Sequence, residues 1–249
     1  MLQFKLSRAG VVFLAAIGIL PAVGFSQSDN SNEVTAPEVK PNEQPPAPQA
    51  GAEPIDKRIF GVLPNYRTAD GSAPFAPITA KHKFYIASKD SFDYPVYLTS
   101  ALFAGLYQLE NQNPSFGQGV KGYAKRLASS YGDQAIGNLM TEAIFPSLLH
   151  EDPRYFRIGA GGGSTWHRMG YAITRVFVVR TDKGKWDFNY SEWLGNSATV
   201  AISNLYYPDT RTAADNVQKL GIQVGTDAFS QVMKEFWPDI KRKLTKKKP

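Results

Sequence analysis

The stretch Gly132-Asp-Gln-Ala-Ile-Gly-Asn-Leu-Met-Thr-Glu-Ala-Ile-Phe-Pro-Ser-Leu-Leu-His-Glu-Asp-Pro-Arg-Tyr-Phe-Arg157 decides the reading of this chain. Ile136, Leu139, Met140, Ala143, Ile144, Leu148 and Leu149 recur at steps of three, four and one, the spacing of one buried helical face. Pro146 lacks an amide hydrogen and crowds the preceding turn. The helix is therefore expected to kink or restart there, just ahead of His150, Glu151, Asp152, Arg154 and Arg157.

Upstream, Val120, Tyr123, Ala124, Leu127, Ala128, Tyr131 and Ala135 keep one face of a helix that begins near Gly119, with Gly132 either inside it or dividing it. Before that, Tyr94-Pro95 opens a helix to about Asn111 whose apolar face is Val96, Leu98, Leu102, Phe103, Leu106 and Leu109. The run is too short to span a bilayer, so this face is expected to pack in a soluble core, with Ala101 and Gly105 allowing close approach. Thr79 is a candidate N-cap for a preceding helix to about Phe92. Residues 55 to 77 are punctuated by Pro64, Gly71, Pro74 and Pro77, and read as an irregular wrap.

Downstream, the glycines of Gly159-Ala-Gly-Gly-Gly163 read as a hinge, because a phosphate loop needs a following Gly-Lys-Ser/Thr and here Ser164-Thr-Trp166 follows. Ser164 or Thr165 then caps a helix with Trp166, Met169, Ile173, Val176 and Phe177 on one face and Arg168 and Arg175 on the other. From 176 to 190 the longer period favours a helix followed by a loop. The alternative is a β-hairpin around Asp182-Lys-Gly-Lys185. Asn189 with Glu192, and Thr212 with Asp215, have the spacing of capping boxes. The first opens a helix with Leu194, Ala198, Ala201, Ile202 and Leu205 inside. The second opens the last helix, which carries Val217, Leu220, Val224, Ala228, Val232 and Phe236 as far as Trp237-Pro238. About six helices joined by short loops predict a mainly α, antiparallel bundle over residues 55 to 240.

The first 26 residues have the form of a secretory signal, with Lys5 and Arg8 ahead of the apolar run Ala9 to Leu20. A membrane anchor is the competing reading of that run. Residues 27 to 54 are rich in Pro and Glu and poor in large apolar residues, the composition of a disordered linker. The chain has no cysteine, so neither a disulfide framework nor a lipid-modified cysteine is available. Charge is uneven. Residues 27 to 56 hold six acids against one lysine, and with Lys5 and Arg8 also set aside the formal +6 becomes +9 for residues 57 to 249. Part of this lies in the tail over 241 to 249, where Lys241, Arg242, Lys243, Lys246, Lys247 and Lys248, beside Trp237, are candidate contacts to an anionic lipid or cell-wall polymer. Export sets nucleic acid aside as a partner.

Three histidines are present. His150-Glu-Asp152 lacks zinc spacing, since Arg154 stands where His-Glu-x-x-His needs its second histidine, and no metal or cofactor is expected. The structural reading pairs Arg154 and Arg157 with Glu151 or Asp152. The catalytic alternative gathers Glu142, His150, Asp152 and His167 into a pocket, a histidine acting as base and an acid orienting it. Asn138, Asn196, Asn204 and Asp227 sit on helices among apolar residues and are expected to form an interhelical hydrogen-bond network. Gly221 and Gly225, one turn apart, would admit a neighbouring helix, either the Ala101/Gly105 ridge or a second copy of the chain.

Tyr131-Gly-Asp-Gln-Ala-Ile-Gly-Asn138, His150-Glu-Asp-Pro-Arg-Tyr-Phe-Arg157, Phe188-Asn-Tyr-Ser-Glu192, Ile202-Ser-Asn-Leu-Tyr-Tyr-Pro208 and Lys234-Glu-Phe-Trp-Pro-Asp-Ile-Lys-Arg242 together resemble a group of exported bacterial proteins, of the kind found in acidobacteria, without an assigned function. The resemblance spans roughly residues 80 to 244. It implies export and one domain, and no activity or catalytic residue. The expectation is an exported protein of the periplasm or envelope, non-enzymatic and peripherally attached to an anionic surface. The competing class is an envelope hydrolase or lipid-modifying enzyme using the His150 and His167 region.

Overall fold

The computed structural model describes residues 58–59 and 63–245. The segments read as a signal (1 to 26) and as a linker (27 to 54), with Lys246, Lys247 and Lys248, lie outside the described residues. What is described is mainly helical, as the periodicity predicts, with six helices of ten or more residues. These are α1 (Ala80–Phe92), α2 (Tyr94–Leu109), α3 (Gly119–Asn138), α5 (Thr165–Thr174), α6 (Tyr190–Ser203) and α7 (Ala213–Thr245), with a short α4 (Phe145–Leu149) after α3. Three small sheets tie the loops down. Strand β1 (Arg58–Ile59) pairs antiparallel with β2 (Leu63–Pro64), and β3 (Thr68–Asp70) lies parallel to β5 (Tyr155–Arg157). Strand β4 (Glu151–Asp152) runs antiparallel to β6 (Val178–Thr181), which pairs with β7 (Trp186–Phe188). The N-terminal wrap is thus anchored by backbone pairing to the strand that follows the central helix.

The local punctuation acts as expected at most helix starts. The Thr79, Ser164 and Asn189 side chains each accept an amide hydrogen three residues on. Thr212 and Asp215 bond reciprocally: the Thr212 N–H donates to the Asp215 carboxylate at 3.0 Å and the Asp215 N–H to Thr212 Oγ1 at 3.2 Å. Gly132 lies inside one continuous helix. Pro146 interrupts the helix by a specific device: Leu139–Ile144 widen into a π-helical turn, and the chain re-enters α-helix at Phe145 with proline at its start. The missing amide hydrogen and the ring's clash with the carbonyl of Glu142 account for the widening. His150 then ends α4 in the left-handed region, at φ 57°.

Two boundaries differ from expectation. The 176–190 segment is the β-hairpin, closed by Gly184 at φ 78°, rather than a helix and loop. Glycine relieves the strain of that turn, and pairing of β6 with β4 supplies the long-range hydrogen bonds that a local period cannot reveal. The last helix does not stop at Trp237-Pro238 but runs through Pro238 to Thr245, so Lys241 to Thr245 belong to it.

The larger correction concerns which stripe faces inward. On α2, Ser100 and Ala104 are fully buried, whereas Leu98, Leu102 and Leu109 are 61%, 63% and 85% exposed. On α6 the buried stripe is Glu192, Asn196, Thr199 and Ser203, while Leu194, and Leu205 in the turn just beyond the helix, face out. On α5, Arg168 is buried and Trp166 exposed, the reverse of the predicted faces. Lys83 and Asp90 of α1 are buried, and Phe84, Tyr85 and Phe92 are not. Several helices therefore present polar or small side chains to one another and large apolar ones to the outside.

The π-helical turn is the hub of this interior, contacted by α1, α3, α4 and α6. Gly195 of α6 lies tight against it: a Cβ there would stand 2.8 Å from Thr141 Cγ2 and 3.1 Å from the Thr141 backbone. Gly195→Ala is accordingly expected to destabilise the fold by about 1 to 3 kcal/mol, although alanine favours helix, because two backbones must separate. An unchanged urea midpoint would show that the turn yields freely. Within the chain, Gly221 of the ridge expected on α7 is not used in this way. A Cβ on Gly221 would meet open space, and Gly105 approaches the Tyr123 ring of α3.

Candidate functional site

Polar side chains from five segments meet beneath the π-helical turn. Arg67, just before β3, reaches the Glu142 carboxylate at 3.1 Å, both groups being buried. Asp90 from α1 faces Glu142, Glu192 from α6 faces Asp227 from α7, and Lys234 stands about two turns further along α7. Asn196 donates to Glu192 at 3.0 Å and to Asp227 at 3.2 Å, which is the interhelical network anticipated for Asn196 and Asp227. Asn204 binds Lys219 at 3.1 Å instead.

Two cations cannot neutralise four carboxylates, so protons must. Burial first, and then the neighbouring Asp90, push Glu142 up to about 8 against the pull of Arg67 and Lys234. Glu192 is raised well above the ordinary value by burial and by Asp227. Asp90 is raised by burial, with Lys234 and Arg67 opposing. A proton shared within each carboxyl pair supplies the donor that two facing carboxylates lack. Lys234 is drawn down to about 8 by burial and by the Arg67 charge, opposed by Asp90, Glu142 and Asp227. Burial would lower Arg67 too, but the surrounding carboxyls, Glu142 foremost, outweigh it and hold the guanidinium charged.

This arrangement predicts an unusual pH dependence. Below about 4.5 Glu142 is protonated whether folded or unfolded; between 4.5 and about 8 the native state keeps a proton that the unfolded chain has released. The stability this represents is lost as pH rises through that window, and Glu192 acts in the same direction. From about 8 to 10.5 the native Lys234 is neutral while the unfolded one is charged, so stability is regained. Denaturant midpoints are expected to fall from pH 5 to a trough near pH 8, with a shallower fall in Glu142→Gln, whose amide imitates the protonated acid. A midpoint that climbs steadily over that range would contradict the shared-proton arrangement.

Beside the cluster, a narrow cavity of about 20 Å³ is bordered by Arg67, Glu192 and Gln231 on one side and by the β6–β7 hairpin on the other. The hairpin wall is a stack of arginines and rings. Arg180 lies 4.7 Å from the Phe156 ring centre and 4.8 Å from that of Trp186, and Arg175 lies 4.3 Å from Tyr171 and 4.4 Å from Trp186. A second, wider groove of about 610 Å³ runs along α3 past Phe116, Lys125 and Arg211. Behind it the Asp133 carboxylate accepts from the Tyr206 and Tyr207 hydroxyls.

The proposed catalytic set does not assemble. Glu142 belongs to the charge cluster, and Asp152 is fully buried and gripped by Arg154, whose Nε and Nη2 donate at 2.9 and 2.6 Å. That is the structural reading of this pair; Arg157 turns instead to the Glu235 carbonyl, at 3.0 Å. His150 and His167 are exposed, and His167 Nδ1 contacts the Gly162 carbonyl at 2.8 Å. No hydrogen bond or ion pair joins any two of these four among the described residues. Nor, among the described residues, is any group of three or more His, Asp or Glu placed to hold a metal ion. Of the proposed binding residues, Lys241, Arg242 and Lys243 are exposed on the last turns of α7, with Arg242 paired to Asp239. Trp237 is buried, as is Tyr207, so neither offers its ring to a surface partner. Trp237 lies on the part of α7 that faces inward with Lys234 and Glu235, so its position beside the basic tail does not make it an interfacial ring.

Arg67, Asp90, Lys234 and Gln231 were not legible as site residues. The available signal was spacing: Asp227, Gln231 and Lys234 at i, i+4 and i+7, and Glu192, Asn196 and Thr199 likewise, draw two polar stripes that a bundle can turn inward. Compared with protein-family models, curated proteins and solved structures, the chain matches none.

Proposed function

We propose that this is an exported envelope protein without catalytic activity that attaches peripherally to a membrane, laying α2 into the lipid–water interface, with its cationic residues favouring anionic lipid. The observation that carries the reading is the outward apolar face of α2. The helix contains no Asp, Glu, Lys, Arg or His in sixteen residues. A contiguous face of this kind on a chain meant to meet only water is costly, at about 1.5 to 3 kcal/mol per leucine left uncovered. Sixteen residues rise about 24 Å, short of the ~30 Å hydrocarbon core, and no described helix is long and apolar enough to cross a membrane. Lying in the interface is the geometry left to such a helix. Tyr94 and Tyr97 on the same exposed face suit the headgroup level, and Lys121 and Lys125 follow on the first turns of α3.

The test is co-sedimentation of residues 27 to 249 with phosphatidylglycerol and phosphatidylcholine vesicles at low and high salt, since the apolar run Ala9 to Leu20 would bind vesicles by itself. Binding to both lipids, stronger and salt-sensitive on the anionic one, is expected, and truncation after Ile240 should reduce the salt-sensitive part alone. Absence of binding together with a light-scattering mass of two chains would overturn the reading and assign α2 to a dimer interface.

A further inference from the structure

The narrow cavity beside the charge cluster gathers five buried polar atoms that have no hydrogen-bond partner among the described residues: Arg67 Nε, Arg175 Nε, Arg180 Nε, Ser191 Oγ and Gln231 Oε1. Buried polar atoms are rarely left unpaired, and five around one space mark a place built to be filled. Three of the five are guanidinium donors. Four arginines line the cavity, and Asp152 takes Arg154 while Glu142 takes Arg67. Among the described residues neither Arg175 nor Arg180 has a carboxylate; the first touches the Thr174 hydroxyl at 3.2 Å and the second is held by stacking on Phe75, Phe156 and Trp186.

Two carboxyls also reach the lining. Glu151 accepts the Ser191 N–H at 2.9 Å, and Glu192 is engaged by Asn196. Counting the cavity and the adjoining cluster together, Arg67, Arg154, Arg175, Arg180 and Lys234 face Asp90, Glu142, Glu151, Asp152, Glu192 and Asp227. No ion pair neutralises Arg175 or Arg180 among the described residues, so their positive charge is met only by aromatic faces and a hydroxyl. A water can accept hydrogen bonds there but cannot cancel that charge. We propose that the cavity binds one small monoanion, of the size of chloride or of a single carboxylate group, held by Arg175 and Arg180 with Arg67 at its inner end. The volume of about 20 Å³ admits one group of roughly water size, and the half-exposed Trp186 at the hairpin lets a larger body continue outward. Neither source depends on the membrane reading.

The full chain would be melted in sodium gluconate, an anion too large to enter, and in sodium chloride or sodium acetate at the same ionic strength. At about ten times the dissociation constant the bound anion should raise the melting temperature by roughly 3 to 6 °C. The increment should vanish in the Arg175→Gln, Arg180→Gln double variant and survive in part in Arg180→Lys. A response to chloride identifies an inorganic ion; a response to acetate alone identifies the carboxylate end of an organic molecule. Equal melting in all three salts, or an increment that persists in the double variant, would overturn the proposal. Should the double variant fail to fold, the NMR linewidth of chloride or the acetate methyl signal, broadened by wild type and not by Arg180→Gln, decides the same point; equal broadening by both proteins overturns it.

Discussion

Glu235→Ala is expected to lower the unfolding free energy by roughly 3 to 5 kcal/mol, the largest loss from any single substitution considered for this chain. The carboxylate is fully buried on α7 and gathers four donors from the other side of the molecule. Its Oε2 accepts from the Tyr155 hydroxyl at 2.8 Å and the Ile158 N–H at 3.2 Å; its Oε1 accepts from the Gly159 N–H at 2.9 Å and Arg168 Nε at 2.8 Å. Removing it takes the acceptor from Arg168 Nε, from an inward-facing tyrosine and from the Ile158 and Gly159 amides, while Arg168 keeps Asp239 at 2.6 Å; the glycine segment is consequently a docked loop rather than a free hinge. Each unpaired group costs desolvation free energy that folding cannot recover. Glu235→Gln keeps the shape and one acceptor and should cost less. Guanidinium denaturation of the three proteins checks both statements; an alanine variant within 1 kcal/mol of wild type would mean that water reaches this end of α7 freely.

The second large effect belongs to the lipid-facing reading. Leu98→Glu with Leu102→Glu should reduce the vesicle partition coefficient about a thousandfold, since each leucine carries about 2 kcal/mol of transfer free energy into the interface and a carboxylate is repelled from anionic lipid. Both positions are exposed, so the fold and its melting temperature should change little. This separates attachment from stability. If the double variant sediments with vesicles like wild type, α2 is not the attached face, and Lys121, Lys125 and the end of α7 would have to account for binding alone.

Both predictions rest on a feature that runs against ordinary expectation, in which the apolar stripe of a helix faces the core. The periods themselves were legible. Ser164, Asn189, Thr79 and the Thr212–Asp215 pair place four helix starts by chemistry confined to one turn, and Pro146 announces the break that becomes the π-helical turn. Position-by-position asymmetry was legible too, since Leu98, Leu102 and Leu109 do share a face. A period has no sign, however: it says that two faces differ and not which one is covered.

The sequence by itself therefore determined the mainly helical class, most helix starts and the lack of zinc-ligand spacing around His150. Only the tertiary structure decided the inward stripe, because the groups that make polar faces tolerable inside come from far along the chain. Arg67 is 75 residues from Glu142 and Arg168 is 67 residues from Glu235. A buried charge is stable only when its partner is placed to meet it, and that placement depends on how α1 and α6 pack around the π-helical turn and α7 packs on α5 and α6, which no local spacing encodes.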